Sequence, residues 1–157
     1  MRIPSLYLDT SVLGGYFDEE FREATRELWR QRNAGKYRFV TSLVVGRELL
    51  GAPENVRELY EETFPAASRL QLDGEAQELA GDYLAAGVVT MRYRDDANHV
   101  AICTVARLDY LVSWNFRHLA NVERANGFNS VNVLRGYALV RIVNPLELIY
   151  GNEDEDV

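Results

Sequence analysis

Four side chains with oxygen donors, Asp9, Glu48, Asp96 and Asn115, fall at or just past seams between apolar strand-like runs and helix-like runs. Asp9 closes Ser5-Leu6-Tyr7-Leu8, and Glu48 follows the next strand by less than two helical turns. Asp96 opens an apolar helix, and Asn115 closes a later strand. In an α/β sheet such seams share one edge, where carboxylates distant in sequence converge. A pocket of converged carboxylates suits a hard divalent cation such as Mg2+ or Mn2+. Phosphodiester cleavage needs an activated water, charge relief on the phosphate and a stabilised leaving oxygen, and such a cation can supply all three. Packed carboxylates repel one another, so the metal-free site should carry raised pKa values and strain.

Each residue also has a plainer use. Asp9 is a natural N-cap for a helix starting at Thr10 or Ser11, and Asp96 or Asp95 can cap the next buried helix. Glu48 can pair on the surface with Arg47 or Arg22. The shared location is what separates a site from three unrelated caps.

The elements that must position these residues follow from periodicity and turn chemistry. Strands are expected at 6–8, 37–40, 69–72, 109–113 and 139–143. Helices are expected at 17–32, 43–50, 54–63, 75–86, 97–107, 116–120 and 131–137, with a terminal turn at 145–150. Thr41-Ser42 can cap the helix leading to Glu48. Residues 97–107 are the most convincingly buried helix. Strands alternating with helices at these lengths predict an α/β fold, a three-layer α/β/α sandwich with a mainly parallel central sheet.

With 157 residues, 47% of them hydrophobic, the chain fits a single domain over 1–150, followed by an acidic tail at 151–157. The formal net charge of −7 argues against holding nucleic acid by bulk electrostatics, and no basic stripe is present. A single cysteine, Cys103, excludes an internal disulfide and a cysteine-based zinc site. No uncharged run is long enough to span a membrane and no signal peptide is visible, so a cytoplasmic protein is expected. Neither common nucleotide-binding glycine loop is present. Asp9-Thr10-Ser11 lacks the Asp-x-Asp of haloacid-dehalogenase-like phosphatases, and Lys36 precedes the second strand rather than following a late one as in receiver domains.

Tyr7-Leu8-Asp9-Thr10-Ser11-Val12-Leu13 resembles the opening motif of PIN domains, in which an aspartate ends the first strand. Thr41-Ser42 through Glu48 looks like the second motif, and Asp96-Ala97-Asn98-His99-Val100-Ala101 resembles the third. Leu111-Val112-Ser113-Trp114-Asn115 is similar to the fourth, with an amide where many members carry an aspartate. The resemblance implies a Mg2+- or Mn2+-dependent endoribonuclease, often the toxin of a VapC-type toxin–antitoxin pair, with RNA as substrate, an antitoxin protein as partner and homodimerisation as the usual state. Asp9, Glu48, Asp96 and Asn115 would then form the catalytic metal site, with Thr10 and Ser113 supporting it by hydrogen bonding. The amide at Asn115 removes one negative charge, which weakens a second metal site. It leaves open a catalytically weakened module that binds RNA or a protein partner.

Beside the acids, His99 falls three residues after Asp96 on the same helix face and is expected to hydrogen-bond beneath the pocket. His118 and Arg117 are possible substrate contacts, since a guanidinium matches phosphate geometry, although both can equally be solvated. Trp114 and Cys103 read as packing residues.

Overall fold

Every residue of Ser5–Leu8 (β1) is buried, so this strand must be covered on both faces. In a computed structural model, in which residues 2–150 are described, β1 is the centre of a five-stranded, all-parallel sheet. The others are Arg38–Ser42 (β2), Arg69–Leu70 (β3), Tyr110–Val112 (β4) and Arg141–Val143 (β5), in the order β3-β2-β1-β4-β5. Leu6 is in register with Phe39 on one side and Tyr110 on the other. Parallel neighbours require crossover connections. Here the helices supply them: Thr10–Gly15 (α1), Arg22–Asn33 (α2), Leu43–Glu48 (α3), Glu54–Thr63 (α4), Gly74–Ala85 (α5), Arg94–Val105 (α6) and Val122–Leu134 (α7), while Pro145–Tyr150 (α8) follows the last strand. Helices α5, α6 and α7 pack together, as do α1, α2 and α8 around α2. The α/β class with a parallel sheet flanked by helices is therefore what the chain adopts. The C-terminal ends of β1, β2 and β4 share one edge. The strand order reverses between β1 and β4, which makes that gap the crevice of the sheet.

Helix α6 is buried at eight successive positions, Ala97 to Thr104, so it runs through the interior rather than along it. It starts at Arg94, earlier than the pattern implied, because a 3-10 turn at Met91–Tyr93 leads directly into it. Asp95 and Asp96 are consequently not caps. They occupy the first turn, where unpaired backbone N–H groups favour carboxylates.

Other boundaries also moved. Helix α2 begins at Arg22 rather than 17, because Asp18 Oδ1 accepts the Glu20 and Phe21 amides and holds a turn there. The helix expected at 43–50 tightens into a 3-10 turn at Leu49–Gly51. Residues 116–120 form hydrogen-bonded turns, closed by the Leu119 and Ala120 amides on the Asn115 carbonyl, rather than a helix. Helix α7 starts nine residues earlier than the apolar pattern, since Asn121 caps it through the Arg124 amide. The terminal turn is a helix, entered through Pro145 with reciprocal Asn144 and Glu147 hydrogen bonds. The acidic tail expected at 151–157 lies outside the described residues. Among the described residues no helix is long and apolar enough to cross a membrane.

Two backbone positions are tightly constrained. A Cβ at Gly15 would stand 2.7 Å from Cδ1 and Nε1 of Trp114 and 3.1 Å from Thr25 Oγ1. Trp114 is fixed there, donating to Thr25 Oγ1 at 2.9 Å and stacked on Phe21 at 4.3 Å. Gly15→Ala is expected to destabilise the fold by about 1–3 kcal/mol through overpacking. An unchanged urea midpoint would show that the indole moves freely. At the other end of the sheet, α6 closes with the Arg107 amide on Thr104 and the Leu108 amide on Cys103. Arg107 has φ 56°, the left-handed conformation in which glycine normally terminates a helix. A side chain there costs roughly 1–2 kcal/mol.

Candidate active site

Asp9 is the residue where β1 hands over to α1. It is 5% exposed. As the N-cap its Oδ1 accepts the Val12 amide at 3.2 Å and the Ser11 hydroxyl at 2.6 Å, so Oδ2 is the oxygen left over. Ser11 ties this strand end to its neighbour: its oxygen accepts the Trp114 amide at 2.9 Å and sits 3.3 Å from Ser113 Oγ. Ser113 in turn accepts the Asn115 amide at 2.9 Å. The crevice between β1 and β4 is thus sewn by two serines, with Asp9 held at its floor.

Glu48, at the end of α3, is carried to the same edge by β2, where Ser42 caps α3 through the Val45 amide. Its Oε1 contacts His99 Nε2 at 2.5 Å and accepts the Thr10 hydroxyl at 3.0 Å. Both hydrogen bonds fall on Oε1, which leaves Oε2. Behind His99 the chain of contacts continues inward: Nδ1 lies 2.6 Å from the Tyr7 hydroxyl, which lies 2.7 Å from Ser42 Oγ. His99 is 2% exposed, beneath the acids and away from the rim.

Asp96 projects from the first turn of α6 with no hydrogen bond among the described residues. Its neighbour Asp95 is instead occupied by Arg47, 2.9 Å away, and by Asn98. The charges of the cluster bear on one another's ionisation. Burial pushes the Asp96 carboxyl up, and the charges of Asp9, Glu48 and Asp95 add to it, to about 6, against the attraction of His99. Burial also raises Asp9, although His99, Ser11, Ser113 and the Val12 amide oppose it. Burial works the same way on Glu48, but the His99 and Thr10 hydrogen bonds outweigh it and hold the carboxyl below its ordinary value. Desolvation disfavours the His99 imidazolium, yet Glu48, Asp9 and Asp96 together raise its pKa. Three acids and a histidine from three separate segments therefore share one electrostatic environment.

The remaining expected residues are placed less centrally. Asn115 Oδ1 accepts the His118 amide at 3.0 Å, so the amide oxygen serves the turn after β4. His118 stacks on Tyr93 at 4.2 Å, beside the start of α6, and Arg117 is exposed. Among the described residues no three His, Cys, Asp or Glu side chains are arranged to hold a metal ion. Tyr7 and Ser11 were not expected at the site, and Ser42, expected as the cap of α3 and found so, also meets the Tyr7 hydroxyl. A tyrosine between two leucines in a buried strand is the signal that would have found the first, since a buried hydroxyl needs a partner.

No family model matches the chain, and no curated protein matches it by sequence. Among solved structures it is similar to a chain in the crystal structure of FitAcB from Neisseria gonorrhoeae, with a TM-score of 0.57 and 13% identity. The match covers 90% of this chain and 98% of that one. The fold is shared. At that identity the likeness extends to the path of the backbone over nearly the whole of both chains and to nothing chemical.

Proposed function

We propose that this chain is a divalent-cation-dependent endoribonuclease of the PIN type, the toxin component of a toxin–antitoxin pair, with RNA as substrate and an antitoxin protein as partner. The observation that carries the reading is electrostatic. Asp9, Glu48 and Asp96 come from three different crossovers, and burial first, then the charges of Asp9 and Glu48, raise the Asp96 pKa. Such crowding costs stability and is poor architecture unless something positive relieves it. In donor chemistry, though not in a ready-made arrangement of three ligands, the set suits Mg2+ or Mn2+: carboxylate oxygens Oδ2 of Asp9, Oε2 of Glu48 and either oxygen of Asp96 are not used by the hydrogen bonds that fix these side chains. When bound, such a cation supplies an activated water and charge relief on the scissile phosphate.

The chain's own residues do the rest. Asp9 and Asp96 hold negative charge at the crevice, and His99 with Thr10 fixes the rotamer of Glu48. Ser11 and Ser113 keep the β1 and β4 ends together. Arg117, exposed in the turn after β4, and His118, stacked on Tyr93 beside the start of α6, would contact the phosphate backbone.

A second reading, a weakened module that binds RNA or a partner without cutting, is favoured by the commitment of Asn115 Oδ1 to its turn. Cleavage of a labelled RNA panel in Mn2+ separates the two. The expected result is metal-dependent cutting by the wild type that falls at least about a thousandfold in the Asp9→Asn/Asp96→Asn variant, the range associated with loss of a principal electrostatic contributor. Equal cutting by both proteins removes the catalytic reading. Binding without cutting by both installs the second.

A further inference from the structure

At the sheet edge opposite the acids lies a cavity of about 670 Å3. It opens where β4 and β5 begin, beside the end of α6, and its walls carry Arg2, Arg107 and Arg141 with Asp109, Tyr110 and Tyr137. Three guanidinium groups against one carboxylate leave two positive charges in excess, within a chain of net charge −7. Two of the arginines are already positioned. Arg2 Nη2 meets Asp109 Oδ1 at 2.9 Å, and Arg141 lies over the Tyr110 ring at 5.8 Å and donates to its hydroxyl at 3.3 Å. The third, Arg107, has no acid or ring engaging its guanidinium among the described residues. It is also the one non-glycine residue described with positive φ, at a helix end where glycine would be relaxed. The fold thus keeps a strained arginine in the lining of a cationic cavity, with its five donors available.

We propose that this cavity binds a small phosphomonoester of mononucleotide size. The guanidinium fork matches the oxygens of a phosphate, and a dianion would neutralise the local excess. The volume falls among those of small-molecule sites, roughly 300–1,000 Å3. Tyr110 and Tyr137 offer ring surface to the organic part of the ligand. Because the site uses the N-terminal ends of the strands, it is separate from the acidic crevice and does not depend on the nuclease reading.

Isothermal titration of the full chain in EDTA, with AMP, inorganic phosphate and adenosine as probes, tests the proposal. AMP should bind saturably, phosphate more weakly and adenosine not at all. Arg107→Gly should weaken AMP binding by about tenfold or more without lowering the melting temperature, since glycine relaxes φ 56°. Arg141→Gln should also weaken it, and Asp9→Asn should leave it unchanged. The proposal is overturned by the absence of saturable AMP binding at millimolar concentration, by AMP binding no tighter than phosphate, by full affinity in both arginine variants, or by loss of binding in Asp9→Asn.

Discussion

Asp96→Asn should raise the melting temperature of the metal-free chain at pH 8 while removing its stabilisation by Mn2+. The two halves come from one cause. The folded-state pKa of Asp96 lies near 6, above its ordinary value of 3.8. A carboxyl with a raised folded pKa is unpenalised when protonated, below its unfolded pKa. Its cost appears as pH rises through the folded value and is complete by pH 8. Two units correspond to nearly 3 kcal/mol, trimmed to about 2 kcal/mol by residual solvent contact. Asparagine has the same shape and does not ionise. For a chain of this length the gain amounts to roughly 4–8 °C. In Mn2+ the order should reverse. A cation at a hundredfold excess over its dissociation constant stabilises the wild type by about 2.7 kcal/mol, whereas the variant has lost a charged donor. Scanning fluorimetry in EDTA and in millimolar Mn2+ at pH 6 and pH 8 checks this. A variant no more stable than wild type at pH 8 in EDTA would mean that neither burial nor the neighbouring charges penalise the Asp96 carboxylate.

What the sequence could and could not convey follows from where information is local. The parallel sheet was legible because β1, β2 and β4 are short apolar runs bounded by polar turns, and α4 was legible because Pro53 and Pro65 bracket it. Helix α7 was hidden: its first turns, Val122-Glu123-Arg124-Ala125, show no apolar stripe, and only the Asn121 cap announces them. Helix α6 ran earlier than its apolar run because tertiary burial of Ala97 onward lets a polar first turn follow a 3-10 turn. The seams that carry Asp9, Glu48 and Asp96 could be read because each adjoins a periodic segment. Their coupling through Ser11, Tyr7 and Ser42 could not, since hydrogen bonds between residues 35 to 103 positions apart have no sequence signature. For Asn115, sequence spacing alone cannot tell a groove-facing amide from one that closes its own turn.

His99→Ala should be the most destabilising single change at the acidic edge, costing about 2–4 kcal/mol at pH 7. His99 is buried while Glu48 reaches solvent, so most of the loss comes from the cavity opened beneath Tyr7 and from the partner its hydroxyl loses, and a smaller share from Glu48. The pH dependence identifies the pair. The raised His99 pKa contributes stability that is present at low pH and is lost as pH rises through that raised value. The lowered Glu48 pKa contributes stability that is present above its ordinary value and is lost as pH falls through the depressed one. The wild type therefore has a stability window bounded by Glu48 below and His99 above, which His99→Ala should flatten. A double-mutant cycle with Glu48→Gln isolates the interaction, with an expected coupling of about 1–3 kcal/mol. The Mn2+ response discriminates the roles further. If Glu48 lends Oε2 to the cation while His99 only orients it, His99→Ala should weaken the Mn2+-induced shift without removing it, and Glu48→Gln should weaken it more. Additive single changes, or a full Mn2+ response in both variants, would make this pair a structural contact with no part in the site.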